Sequence, residues 1–148
     1  MNLLPSENQG QITEYVPILV QEYKEFKILR MAKRGLKSAD DFIKIIEENG
    51  TFDKEDDSFN TLNLMRNYLV GEEVGKIIMW LDKMLFKSII ITANNLEEFN
   101  FLKTDSTRYK NVKQLILSRN KIKSIDIKVD ILAQLPCLKE LDLSQNYI

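Results

Sequence analysis

The stretch Val112-Lys113-Gln114-Leu115-Ile116-Leu117-Ser118-Arg119-Asn120 decides how this chain is read. Its apolar residues stand at the first, fourth and sixth positions and an asparagine at the ninth, and the same spacing returns 26 residues away on either side. Phe86, Ile89, Ile91 and Asn94 precede it; Leu138, Leu141, Leu143 and Asn146 follow; Leu96, Ile122 and Ile148 close the three copies. The alternating fourth and sixth positions describe a short strand with one face turned inward. An asparagine amide carries both donors and an acceptor, so at a fixed position it can close a turn and bond the backbone of its neighbours. One such unit cannot bury its apolar face alone, so copies must stack.

The spelling L-x-x-L-x-L-x-x-N-x-L is that of the leucine-rich repeat. Residues 86–148 are therefore expected to form a short α/β solenoid of three repeats: 86–111, 112–137 and an incomplete 138–148. Stacked strands of this kind make a curved sheet whose outward positions form a concave binding surface. Those positions are Ser88, Ile90 and Thr92, then Gln114, Ile116 and Ser118, then Glu140, Asp142 and Ser144. The face passes from polar and apolar to acidic along its length, with Ile90 beside Ile116 as an apolar anchor for a protein partner. The pattern breaks off at Ile148 without a return segment, which reads as a fragment of a longer protein.

Between the second and third copies, Ile122 and Ile125 belong to an N-x-I-x-x-I-D run. Ile131, Leu132 and Leu135 then take helical spacing, and Pro136 ends that helix before L-K-x-L-D-L-S-x-N begins at Leu138. This unit resembles the repeats of the nuclear RNA export factor family and, less closely, those of tubulin-folding cofactor E. The likeness covers residues 86–148. It implies an adaptor in RNA or ribonucleoprotein transport, acting in nucleus and cytoplasm, with a ribonucleoprotein-like domain ahead of the repeats that assists in RNA binding. The alternative is a protein-interaction scaffold unrelated to RNA, on tubulin or in a signalling complex.

Ahead of the repeats, residues 1–11 read as a loose leader and residues 12–85 as a small helical domain, giving an α+β chain. Val16, Leu19, Val20, Tyr23, Phe26 and Leu29 recur at intervals of three and four, which predicts a helix from Ile12 to Lys33 stopped by Gly35. Ser38 with Asp41 three residues on resembles a capping box for a second helix, with Phe42, Ile45 and Ile46 inward and Gly50 as its terminator. Ser58 is set to cap a third, with Leu62, Met65, Tyr68 and Leu69 inward. A fourth, over 72–85, carries Val74, Ile77, Ile78, Leu81, Met84 and Leu85 on one stripe, Trp80 on its flank, and abuts Phe86 as the cap of the solenoid. The competing architecture is a β-α-β-β-α-β fold with outer strands at Phe26–Met31 and Ser88–Thr92 and helices at Ser38–Asn49 and Glu72–Leu85.

The 148 residues, 44% apolar, are enough to bury a core, and 21 basic against 22 acidic side chains leave a net charge of −1. Affinity for RNA or DNA rests largely on phosphate neutralisation, so strong autonomous nucleic-acid binding is disfavoured. The one local basic concentration is Lys110, Lys113, Arg119, Lys121, Lys123 and Lys128, a candidate RNA-contacting patch set against the alternative of a solvated rim. The chain has no histidine, which removes a Cys-His nucleophile pair and a zinc site of ordinary ligand type. No phosphate-binding loop, dinucleotide fingerprint or nucleophile elbow is spelled, so no catalytic residue, cofactor, metal or small-molecule substrate is expected. Glu72-Glu73 and Glu97-Glu98 are sequence neighbours that splay apart. The acidic run Asp53–Asp57 lacks the central glycine and terminal glutamate of a calcium loop, and reads as solvated charge at a helix start. The lone Cys137 is expected as a buried thiol. Met1–Gln11 lacks the basic and apolar regions of a signal peptide, and no apolar run is long enough to span a membrane, so an intracellular location is expected.

Overall fold

The computed structural model describes residues 19–23, 26–50, 52–103, 106–123 and 133–148. Six strands form one sheet in sequence order: β1 (Val20–Tyr23), β2 (Phe26–Arg30), β3 (Thr61–Asn63), β4 (Ser88–Ile90), β5 (Gln114–Ile116) and β6 (Glu140–Asp142). β1 and β2 pair antiparallel, and β2 through β6 are parallel. Among the described residues two helices lie between strands, α1 (Ala39–Asn49) after β2 and α2 (Gly71–Trp80) after β3. Two 3₁₀ turns, Asn100–Lys103 and Ser106–Tyr109, occupy the corresponding connection between β4 and β5.

The 26-residue register appears directly as pairing: Ser88, Gln114 and Glu140 are consecutive partners across β4, β5 and β6, as are Ile89, Leu115 and Leu141. The alignment also runs further back than the sequence spacing does. Leu29, Leu62 and Ile89 are partners in turn, on β2, β3 and β4. Phe59, Leu62, Leu64, Asn67 and Leu69 spell the motif in full, and Phe26, Leu29, Met31, Arg34 and Leu36 spell it with arginine in the asparagine's place. From Leu62 back to Leu29 is 33 residues and from Ile89 back to Leu62 is 27, so a fixed period of 26 passes over both.

Two features show that the five turns after the parallel strands are built alike. Lys33, Arg66, Ala93, Arg119 and Gln145, each one residue before the asparagine or its replacement, adopt a left-handed backbone with φ between 56° and 58°. That conformation costs a residue with a side chain about 1–2 kcal/mol, and in the first four turns a backbone bond to the following turn helps to hold it: Lys33 N to Met65 O, Arg66 N to Thr92 O, Ala93 N to Ser118 O and Arg119 N to Ser144 O. The second feature is an asparagine ladder. Asn120 Nδ2 donates to Ile91 O and Leu117 O at 3.0 Å, and its Oδ1 accepts from Asn94 N at 3.2 Å and Leu96 N at 3.0 Å. Asn94 serves Leu64 O, Ile91 O and Leu69 N in the same way, and Asn67 serves Met31 O, Leu64 O, Arg34 N and Leu36 N. Each amide saturates backbone groups of its own turn and of the preceding one, as its fixed position implies.

The core is one continuous cluster from Leu19 to Leu135, with Leu29, Leu62, Ile89, Leu115, Phe86 and Tyr109 fully buried. α1 and α2 behave as their patterns predict. Ser38 Oγ caps α1 by accepting from Asp41 N at 3.1 Å, and Gly50 ends it at φ 75°. Phe42 and Ile46 are buried with Val74, Ile77 and Ile78 of α2, Leu81 and Met84 follow them into the core, and Trp80 meets Phe42 edge-on with ring centroids 6.2 Å apart. Glu73, in the first turn of α2, accepts from Ala39 N and pairs with Lys76, which holds its carboxyl below the ordinary value. α2 ends at Trp80, short of Leu85.

Several expectations are corrected. The helix expected over Ile12–Lys33 is replaced, where described, by the β1–β2 hairpin, because Leu29 finds Leu62 on β3 and Val20 on its other side; local spacing of three and four yields to long-range pairing. The third helix, expected after Ser58, is strand β3 and its turn, with Leu62 and Leu64 inward on a period of two and Asn67 bonded to backbone. The N-terminal part is thus not a helical domain; the sheet runs across residue 85 without interruption. α2 is not the terminal cap: it connects β3 to β4, and the edge of β2 is covered by β1. The ribonucleoprotein-like alternative, with outer strands at Phe26–Met31 and Ser88–Thr92, overlaps β2 and β4, but here β3 lies between them in sequential parallel order. Cys137 is exposed and not the buried thiol expected, since the chain here packs Leu135 and, in part, Leu138 against the core and it falls between them. Ile125, Ile131, Leu132 and the 1–11 leader lie outside the described residues, so their expected roles do too.

Candidate functional site

In a strand whose fourth and sixth motif positions enter the core, the residues between and beside them face the opposite way. Across β2 to β6 these form two rows of direct partners. The first is Ile28, Thr61, Ser88, Gln114 and Glu140; the second is Arg30, Asn63, Ile90, Ile116 and Asp142. Met65, Thr92, Ser118 and Ser144 continue the face at the strands' C-terminal ends. All nine positions named from the motif therefore share one sheet face, half-buried except for the exposed Glu140 and Ser144.

The first row is tied across strands. Ser88 Oγ donates to Gln114 Oε1 at 2.6 Å, and Gln114 Nε2 donates to Glu140 Oε1 at 2.9 Å. Thr92 Oγ1 and Ser118 Oγ meet at 3.1 Å. These bonds hold the polar side chains in fixed rotamers. At the β6 end Asp142 Oδ1 accepts from Ser144 N at 2.9 Å, and hydrogen bonding from Ser144 holds the Asp142 carboxyl below its ordinary value. Asp142 is thus a carboxylate at neutral pH. Ile90 and Ile116, paired on adjacent strands, form the apolar centre.

The face is wider than the motif's three copies indicated. Arg30 and Asn63 complete the second row, and Lys33 and Arg66 stand exposed on the rim beside them. The missed signal was the same spelling at 59–69 and 26–36, hidden by insertion of α1 and the acidic loop into the return segment. That loop is fastened to β2 instead of starting a helix: Lys27 Nζ pairs with Asp56, and Ser58 also donates to Asp56, together lowering the Asp56 pKa to about 2. Arg34, where the ladder would place an asparagine, donates from Nη2 to Arg30 O at 3.0 Å, and burial together with the nearby Arg30 charge lowers its pKa.

The described candidate RNA-contacting residues, Lys110, Lys113, Arg119, Lys121 and Lys123, are exposed but are not brought together. Lys110 and Lys113 precede β5, while Arg119, Lys121 and Lys123 follow it, so they sit at opposite ends of one strand. Arg119 Nε is engaged by Gln145 Oε1 at 2.7 Å. Lys128 lies outside the described residues. Among the described residues no group of three or more histidine, cysteine or carboxylate side chains is placed to hold a metal ion, and no helix is long and apolar enough to cross a membrane.

No curated protein matches the chain. The family model described as Leucine Rich repeats (2 copies) matches residues 110–148, the part that holds β5, β6 and the last two asparagines of the ladder. The chain carries leucine-rich repeats there, a module that typically serves protein interaction.

Proposed function

We propose that this chain is a non-enzymatic protein-binding module, a short leucine-rich-repeat solenoid of five units rather than three, whose concave face is the sheet surface formed by β2 to β6. The observation that carries the reading is the pair Ile90 and Ile116, side by side on the face turned away from the core. Half-buried aliphatic side chains framed by immobilised polar ones match the make-up of a protein interface, where an apolar centre supplies affinity and a polar rim supplies fit. An RNA-binding face calls instead for concentrated positive charge, and the chain's net charge of −1 with its lysines divided between two rims supports the protein reading.

The test compares the full chain with an Ile90→Asp, Ile116→Asp double variant as immobilised bait. Both substitutions are on the open face, so circular dichroism and thermal unfolding are expected to match. Proteins retained by the parent and reduced at least tenfold on the variant support the reading; equal retention overturns it. The RNA-transport adaptor, to which the 26-residue repeats and their N-x-I-x-x-I-D run point, is tested in parallel by titrating single-stranded RNA against salt. Affinity that falls steeply with salt and disappears on Lys113→Glu, Arg119→Glu and Lys121→Glu would favour it.

A further inference from the structure

The charges on the open face are sorted along the stack. At the β2 and β3 end stand Arg30, Lys33 and Arg66, all exposed; among the described residues none of them is ion-paired. At the β6 end stand Glu140 and Asp142. Between them β4 presents only Ser88, Ile90 and Thr92, and Arg119, which takes the same rim position after β5, is engaged by Gln145 Oε1 at 2.7 Å. Four inter-strand steps separate the two ends, roughly 19 Å. From Ser88 to Thr92 the face is roughly 13 Å wide along the strand.

We infer that the partner element is an amphipathic α-helix of about 13 residues laid along the stack, acidic at the end over Arg30, Lys33 and Arg66 and basic at the end over Glu140 and Asp142. This rests on the face being a protein-binding surface. An α-helix of that length spans about 20 Å and with its side chains is about 10–12 Å thick, which matches both dimensions. Side chains three and four apart on a helix lie about 5–6 Å from each other, close to the spacing of Ile90 and Ile116 on adjacent strands. An extended peptide suits the face poorly, because strands are recognised through backbone bonds at a sheet edge, and on this face the backbone groups of β2 to β5 are already paired on both sides. A helix satisfies its own backbone and needs only side-chain contacts. A second copy of the chain, turned so that β2 meets β6, would also match the terminal charges, but it would set Arg66 against Arg119 of the other copy.

The test uses four stapled 14-residue helices with one apolar stripe in common: acidic at one end and basic at the other, acidic at both, basic at both, or neutral. Fluorescence anisotropy with the full chain at low salt is expected to favour the two-sign helix about tenfold over each of the others, with the advantage lost at high salt as charges are screened. A nitroxide on its acidic end should broaden amides of residues 26–30 and not those of 140–142. In the variant Arg30→Glu, Lys33→Glu, Glu140→Lys, Asp142→Lys that broadening should move to 140–142. Equal affinity for all four helices, abolished by Ile90→Asp with Ile116→Asp, would overturn the charge polarity while keeping the face. Binding of the two-sign helix that survives those two aspartates would overturn both. Absence of binding by any helix, or a dimer in sedimentation that Asp142→Lys disrupts, would overturn the helix as occupant.

Discussion

The two ends of the parallel stack carry the same motif under opposite conditions. At the β2 end Leu29 is fully buried, because β1 covers the strand edge and Asn67 ties the turn from the next unit. At the β6 end Leu138, Leu141 and Leu143 are only partly buried, although their spacing is the more regular of the two. A leucine-rich unit is thus stabilised by its neighbours on both sides, and a well-spelled unit with one neighbour is less buried than an imperfect unit between two. Regularity of spelling and contribution to stability are separate properties.

The largest contrast should come from truncating equivalent leucines. Leu29→Ala is expected to cost about 3 kcal/mol, the transfer and cavity cost of a buried leucine, whereas Leu141→Ala should cost about 1 kcal/mol. Urea unfolding of the two variants measures the difference, and equal costs would show that β1 does not close its edge. Next come the asparagines. Asn67→Ala strands the Met31 carbonyl and the Arg34 and Leu36 amides, while Leu64 O keeps Asn94 Nδ2, for an expected loss of about 3 kcal/mol. Asn146→Ala releases the part-buried Ile122 N and Leu143 O, while Leu117 O keeps Asn120 Nδ2, for about 1 kcal/mol.

The smallest effect isolates the charge clamp at the β2 end. Asp56 has its pKa lowered to about 2 from 3.8, so the stability it contributes is present above 3.8 and is lost as pH falls from there toward 2. With its carboxylate partly in solvent the contribution is about 1 kcal/mol. Asp56→Asn should therefore be less stable than the parent by that amount at pH 7 and indistinguishable from it below pH 2, as read from thermal unfolding across a pH series. A gap that persists at low pH would mean the aspartate acts through its turn geometry instead of its pair with Lys27.

Much of the site was legible because its physics is local. The alternation at Ile89–Ile91, Leu115–Leu117 and Leu141–Leu143 dictates which intervening residues face outward, and the structure has all nine of them on one sheet face. The asparagine's bonding also follows from its amide chemistry and position. The N-terminal half was misread because Val20, Tyr23, Phe26 and Leu29 keep a helical period, although in the hairpin Leu29 is buried and Phe26 is exposed. Leu62, Met65 and Leu69 keep that period too, and Leu62 with Leu64 was the period of two that mattered.

What the amino-acid order determined by itself is the inward set and turn asparagine of the last three units, and that a helix starts near residue 39 and another near residue 72, since these depend on contacts a few residues apart. What only the tertiary structure decided is how many units stack and which charges share a face. The return segments between strands vary from unit to unit without cost to the register, because backbone and asparagine bonds between neighbours hold the strands in line whatever length of chain connects them. Arg30 and Asp142 are far apart in sequence, yet parallel pairing sets them at opposite ends of one row.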